Sequence, residues 1–330
     1  MTAAAWAVNI VPMVRKRPKI VVCEHYADTT FQRLRKVGDV THVQLPGEEE
    51  LIAALADADA VLVRTYTQVT ARVLESAPRL KVIGRGGVGV ENIDVHAAAA
   101  RGITVVHTPA AASEAVAELT VGLILALERK IIAGDARVRA GDFAGARSAA
   151  IGRELGQCTL GIIGMGRIGR IVGRIAATGF GSRVVYNDII DAGPLGFAAE
   201  SMSKPEVYAA ADVLTLHVTL TDLTRGLIDA GALARVKPTT TLINTARGAV
   251  LDAGAVATAL HEGRLAGAAI DVFDPEPPPP DHPLRTAPNV ILSPHAGARS
   301  PRGQARMNDV VDDVIAVLDG RPPRYPVTPE

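Results

Sequence analysis

The sequence is short of the features that mark several protein classes. Its two cysteines, Cys23 and Cys158, lie far apart and form no framework of spaced pairs. A reducing, cytoplasmic compartment is therefore expected, not a disulfide-stapled secreted fold. No apolar run approaches the roughly 20 residues that a helix needs to cross a bilayer. There is no excess charge of either sign, because 35 Lys and Arg face 35 Asp and Glu. That balance argues against a nucleic-acid binder, whose affinity rests on cation–phosphate contacts, and against attachment to an anionic membrane. Aromatic residues are only 3% of the 330, yet 48% are hydrophobic. Such a chain is too apolar for disorder and long enough to bury large cores, in about two domains. A short apolar stretch, Ala3 to Met13, precedes the cations Arg15, Lys16 and Arg17. A secretory signal has its cations first, so this segment reads as an extension or an early start site.

Short apolar runs alternate with helical patterns along the whole chain, which implies parallel sheets covered on both faces. In the first hundred residues, strands are expected at 20–23, 40–43, 60–63, 82–84 and 103–106, with helices near 31–36 and 49–55. Ser113 is expected to cap a helix from about Glu114 to Lys130. Nearly every side of that helix is apolar, so it reads as a buried connector between domains or at a subunit contact. A second series starts at Thr159, with strands at 160–163, 183–186, 213–217, 241–244, 268–272 and 290–292. Helices are expected at 167–178, 229–234 and 253–262, Asp229 standing at a helix start. This makes a six-stranded doubly wound sheet. A last helix, 306–318, has no strand after it and is placed back with the first unit. The proline-rich run 275–280 is expected to be a rigid surface connection.

The segment Leu160 to Gly169 contains GxGxxG at Gly164, Gly166 and Gly169. The first glycine permits a tight turn, the second lets the backbone approach a pyrophosphate, and the third lets helix and strand pack closely. The helix that follows offers free N–H groups to phosphates. Asp188, 19 residues after Gly169 and past a second strand, is placed to accept from an adenine-ribose hydroxyl. A carboxylate there repels a 2′-phosphate, which favours NAD over NADP. Asn187 lies beside it, and an off-by-one placement would weaken that inference.

Three further residues fall at or beyond strand ends: Arg247, Glu276 and His295. Open parallel sheets bind ligands at that edge. Oxidising a 2-hydroxy acid moves a hydride from C2 to nicotinamide while a base removes the hydroxyl proton. Histidine suits the base role because its reference pKa, ~6.5, is near working pH. A carboxylate can orient the ring and favour its protonated form. Arginine can grip carboxylate and carbonyl oxygens with a planar fork. No metal is expected.

These residues resemble the D-isomer-specific 2-hydroxyacid dehydrogenase family over nearly the whole chain, from about Lys19 to Pro326. The motifs are GRGGVGVENID (84–94), GIIGMGRIG (161–169), INTARG (243–248), AGAAIDVFDPEP (266–277) and SPHAGA (293–298). The resemblance implies an α/β fold of two doubly wound parallel-sheet domains. One is a flavodoxin-like substrate domain, 1–108 with 300–330; the other is a Rossmann NAD-binding domain, 109–299. It implies that Arg247 binds substrate, that Glu276 tunes His295, and that His295 is the acid/base. Arg167, Ile168, Val218, Thr245, Ala246, Asp271 and Gly297 join the glycines and Asp188 at the cofactor. The substrate carboxylate is expected on backbone N–H groups near Gly87, Val88 and Gly89, and a homodimer is expected through the region 114–153.

Within the family, residues 85–94 look most like phosphoglycerate dehydrogenases, and Arg64 sits where they place a cation for the phosphate; Arg64 and Arg85 could equally be ordinary surface or strand-end arginines. The chain ends near residue 330, so their C-terminal regulatory domain is not expected. Glu91 and His107 replace a more usual aspartate and asparagine. The extra residue in 178–181 resembles the glyoxylate and hydroxypyruvate reductase branch, which leaves the 2-hydroxy acid open. Formate dehydrogenases are disfavoured because they carry glutamine where Glu276 stands. A non-catalytic NAD-sensing scaffold of the corepressor kind shares the fold, but the intact trio gives no reason to prefer it.

Overall fold

The computed structural model describes residues 17–149 and 151–329. The reading of the segment up to residue 16 lies outside them. The chain divides into two units: one runs to Thr108 and resumes at Asn308, the other spans Pro109–Met307.

In the first unit, runs of β-branched and aliphatic residues form β1 (Lys19–Cys23), β2 (Asp39–Val43), β3 (Ala60–Val63), β4 (Val82–Arg85) and β5 (Thr104–His107). All pair in parallel, in the order β2-β1-β3-β4-β5. That is the flavodoxin-like order, and its direction reverses between β1 and β3. Side chains alternate across the sheet. Val21, Val61, Ile83 and Val105 enter one core; Ile20, Leu62, Val82 and Val106 enter the other. The second core is closed by Leu34 from the helix Asp28–Val37 and by Val310, Val311 and Val314 from the helix Val310–Leu318. Each such aliphatic group, fully buried, contributes roughly 1.5–3 kcal/mol over its exposed state.

The second unit holds β6 (Thr159–Ile163), β7 (Arg183–Asn187), β8 (Glu200–Ser201), β9 (Val213–Leu216), β10 (Thr241–Asn244), β11 (Gly267–Ile270) and β12 (Val290–Leu292). The order is β12-β11-β10-β9-β6-β7-β8, again all parallel, with the reversal between β6 and β9. This is a Rossmann sheet. The chain is thus two doubly wound α/β units, with seven strands in the second and not six. The added strand, β8, is two exposed residues paired with β7, too short to show a period.

Other local expectations change as well. Ser113 is the first residue of the helix Ser113–Glu128, not its cap; Ala112 stands at the cap with no side-chain bond to offer. That helix is buried on one face only, through Val116, Ala117, Thr120, Leu123 and Ile124, while Glu118 and Gly122 are exposed. It belongs to the second unit and packs on β10, β11 and the helix Arg167–Arg174. The expected helix 306–318 is two, Pro301–Asn308 and Val310–Leu318, interrupted at Asp309.

Candidate active site

At the C-terminal end of β6 the chain turns through Gly164 at φ +96°, a conformation costly for any residue with a Cβ. A Cβ there would also meet the His217 carbonyl oxygen at 2.4 Å. Gly166 caps the helix Arg167–Arg174 in extended geometry, and nothing stands within 4 Å of where its Cβ would project. A Cβ on Gly169 would lie 2.1 Å from the Gly164 carbonyl oxygen, so the helix can seat on the turn only without one. The three glycines thus form a cradle that opens at Gly166, in front of the first N–H groups of the helix, those of Arg167 and Ile168 included. Val218 packs beside the turn.

Asp188 reaches this turn: its Oδ2 accepts from the Met165 N–H at 2.6 Å and its Oδ1 from the Ile190 N–H at 3.0 Å. Asn187 is directed elsewhere and donates from Nδ2 to the Met202 carbonyl at 2.7 Å. The carboxylate beside the glycine turn is therefore at 188, not an amide at 187. An open cradle, a helix N-terminus and an acid at the end of the next strand fit a dinucleotide's pyrophosphate and ribose.

The second group stands at the ends of β10, β11 and β12. Asn244 is fully buried; its Oδ1 accepts from the Ala246 N–H at 3.0 Å and its Nδ2 donates to the Arg247 carbonyl at 2.9 Å. Thr245, also buried, meets the Thr120 hydroxyl at 2.9 Å. These bonds fix the backbone of the loop that presents Arg247, which is half-buried and donates from Nη1 to the Ala246 carbonyl at 2.7 Å.

Asp271, 1% exposed, accepts from the Ala296 N–H at 2.8 Å and the Gly297 N–H at 2.9 Å. Its own carbonyl takes the His295 N–H at 2.8 Å. These three bonds hold His295 at φ +51°, which few residues with side chains adopt. In this posture the His295 Nδ1 lies 2.8 Å from the Glu276 Oε2. Nδ1–H thereby donates to the carboxylate, and Nε2 is the ring nitrogen outside that bond. The Glu276 Oε1 is buried without a hydrogen-bond partner among the described residues.

Sequence reading passed over His217, which ends the run at β9. Its Nε2 lies 3.1 Å from the Thr215 hydroxyl, and its Nδ1 is buried without a partner among the described residues. Burial pushes its pKa down to about 3, so the ring is neutral. A histidine at a strand end was the available signal.

In the first unit, Arg64 follows β3 and Gly87, Val88 and Gly89 follow β4, all at the C-terminal edge. The Arg64 guanidinium lies over the Tyr26 ring at 4.7 Å and donates from Nη2 to the Asn308 Oδ1 at 2.8 Å. Arg85 is buried, and its guanidinium lies so close to Gly87, at φ +155°, that a Cβ there would collide with it. The Gly87 carbonyl accepts from the Thr108 N–H at 2.9 Å, and the Val88 carbonyl from His107 Nδ1 at 2.7 Å. With these carbonyls pinned to β5, the segment 87–89 has a fixed backbone.

Residues 121–297 match the model of the D-isomer specific 2-hydroxyacid dehydrogenase, NAD binding domain. The chain is 39% identical over 307 residues to the D-3-phosphoglycerate dehydrogenase of Mycobacterium leprae, covering 92% of this chain and 57% of that protein. It thus spans little more than half the length of the phosphoglycerate dehydrogenases it matches. It is 37% identical over 319 residues to the glyoxylate reductase of Aeropyrum pernix, covering 93% of this chain and 95% of that one. The crystal structure of the TT0316 protein from Thermus thermophilus superposes with a TM-score of 0.88 at 37% identity, over 94% of this chain and all of that one.

Proposed function

This chain belongs to the D-isomer-specific 2-hydroxyacid dehydrogenase family, and from that membership we propose that it interconverts a D-2-hydroxy acid and its 2-keto acid with NAD. The observation that carries this reading is the 2.8 Å contact between His295 Nδ1 and Glu276 Oε2, beyond the carboxyl ends of β11 and β12 in the sheet whose β6 carries the glycine turn. When bound, NAD supplies the nicotinamide carbon that accepts or returns the hydride. His295 Nε2 takes the hydroxyl proton in the oxidising direction and gives it back in the reducing one. Glu276 keeps the ring oriented through its contact with Nδ1. Arg247 grips substrate oxygens, and the loop bonds of Asn244 and Thr245 hold it in register. Gly164, Gly166, Gly169, Arg167, Ile168 and Asp188 hold the dinucleotide, with Val218, Thr245, Ala246, Asp271 and Gly297 around it. Asp188 selects NAD over NADP.

The first unit is assigned to the acid. Val88 and Gly89 N–H groups, with Gly87, take its carboxylate, and Arg64 reads an anionic tail such as that of D-3-phosphoglycerate. A second reading, reduction of glyoxylate or hydroxypyruvate, is favoured by the likeness to the Aeropyrum enzyme along 95% of its length. A homodimer through the helices 113–128, 131–139 and 143–149 is supported by exposed apolar side chains at Ile131, Ile132, Phe143 and Ile151, the helix Ile131–Arg139 burying none of its residues. A cytoplasmic setting agrees with two free, buried cysteines.

The test is NADH oxidation with 3-phosphohydroxypyruvate, hydroxypyruvate, glyoxylate and pyruvate. Turnover with at least one is expected, and the ranking selects between the two substrates. Inactivity on all four overturns the proposal.

A further inference from the structure

Glu24 follows β1 at the point where the strand order of the first unit reverses. It is 5% exposed and sits at φ +65°, a conformation strained for a residue with a side chain. Its carboxylate lies at the centre of the loop after β3. Oε1 accepts from the N–H groups of Arg64 at 3.0 Å, Tyr66 at 3.2 Å and Thr67 at 3.0 Å; Oε2 accepts from Thr65 at 3.1 Å and Tyr66 at 3.3 Å. Four successive backbone N–H groups thus converge on one internal anion, the arrangement by which a backbone nest binds an external one.

The opposite side of the loop is also fixed. Asn92 donates from Nδ2 to the carbonyls of Arg64 at 2.9 Å and Thr67 at 2.6 Å. The Glu24 carbonyl in turn accepts from His42 Nε2 at 2.9 Å.

We propose that Glu24 is a positioning residue that fills the 64–67 nest with its own carboxylate, so that this loop meets an anionic substrate tail through the Arg64 side chain and not through its backbone. The physical reason is that the loop's donors all face inward onto Glu24, while the Arg64 guanidinium is directed over Tyr26. A loop with these N–H groups released would adopt other backbone conformations, and Arg64 would lose its fixed root. Glu24 therefore acts on tail recognition, through Arg64, without touching the acid itself. This rests on the proposal above that the first unit binds the substrate.

The experiment compares wild type with Glu24→Gln and Glu24→Asp. Glutamine keeps the size but replaces one acceptor oxygen with an N–H donor facing N–H groups. In Glu24→Gln, the KM for 3-phosphohydroxypyruvate should rise about tenfold more than that for glyoxylate, the loss expected of charge-assisted bonds. Glu24→Asp, which keeps the charge, should recover part of that difference. Equal losses on both keto acids in Glu24→Gln would mean that Glu24 is only structural and would overturn the proposal.

Amide hydrogen exchange provides an arm independent of activity. In wild type, the amides of 64–67 should be protected, and in Glu24→Gln they should exchange about tenfold faster or more. Unprotected amides in the folded wild-type protein would overturn the proposal even if no variant folds. Wild type inactive on every keto acid, with the exchange result as expected, would instead fail the functional reading and leave the Glu24 nest standing.

Discussion

At the N-terminal ends of their strands, both units place an aspartate one residue ahead of the strand beside the order reversal. In the first unit Asp59 precedes β3, accepts from the Lys19 N–H at the start of β1 at 3.0 Å, and pairs with Arg79 and Lys81. In the second, Asp212 precedes β9, accepts from the Thr159 N–H at the start of β6 at 2.9 Å, and pairs with Lys237. Beside it, buried Glu128 takes two bonds from Arg153 and one from the Thr241 hydroxyl. Acid oxygens at this edge have N–H, hydroxyl or cation partners. The C-terminal edges differ. They hold buried polar atoms with no partner among the described residues, Glu276 Oε1 and His217 Nδ1, and two titratable side chains at positive φ, Glu24 and His295; at the opposite edge the residue Asn289, an amide, is also at positive φ. Matched charge at one edge favours stability, while unmatched buried polar atoms mark the other as the edge where the proposed binding and proton transfer would lie.

The contrast can be broken first at His295. Replacing it with alanine should lower kcat about 10³-fold, the usual contribution of an acid/base, with NADH binding by fluorescence titration retained. Unaltered turnover would move the chemistry away from this edge.

The opposite edge should respond in the opposite sense. Asp212→Asn should cost about 2 kcal/mol by calorimetry, because it leaves Lys237 and the Thr159 N–H without their acid, while kcat holds within about twofold. The same acids give a pH signature. Burial raises the pKa of Asp59 and Asp212, but the N–H bonds and the cations outweigh it and hold both below the usual 3.8. As pH falls, the unfolded chain takes up these protons first. The stability the acids contribute is therefore complete above the unfolded value and is lost as pH drops through the lower folded values. Denaturation midpoints measured from pH 6 down to pH 2 should show this acid limb, shallower in Asp212→Asn.

The smallest effect should come from an exposed helix start just past β8. The Glu206 carboxylate accepts from the Ser203 N–H at 2.9 Å and hydroxyl at 2.6 Å at the head of the helix Lys204–Ala210. Ser203→Ala should lower Tm by about 2 °C and leave turnover unchanged. A larger fall would mean that caps weigh as heavily here as the buried acids do.

The Ser203 cap also shows how unevenly the structure can be read from its residues. Its Ser-x-x-Glu spacing is a helix signal in plain view, yet the helix was not expected, because no long apolar period follows it. The expected and observed ends coincide at β3, β10 and β12, where the apolar runs are sharply bounded. Gly164, Gly166, Gly169 and Asp188 were legible for a similar reason: a turn, a helix start and the next strand end all lie within 25 residues. Asn244 clamps its own loop and was near enough to be seen, but an asparagine ending a strand has no distinctive period. Glu24 was beyond reach, since the N–H groups it gathers stand 40 to 43 residues away.

By itself the sequence determined what acts over a few residues: the alternation of strand and helix, the glycine turn, and the residue types able to grip an acid and move a proton. Only the tertiary structure decided which of those groups meet. It alone set His295 at positive φ on Asp271 and turned it to Glu276, sent Asn187 away from the glycine turn, and filled the 64–67 nest with Glu24. Local propensity and hydrophobic period are encoded between near neighbours, whereas a hydrogen bond across a sheet edge depends on the packing of the whole unit.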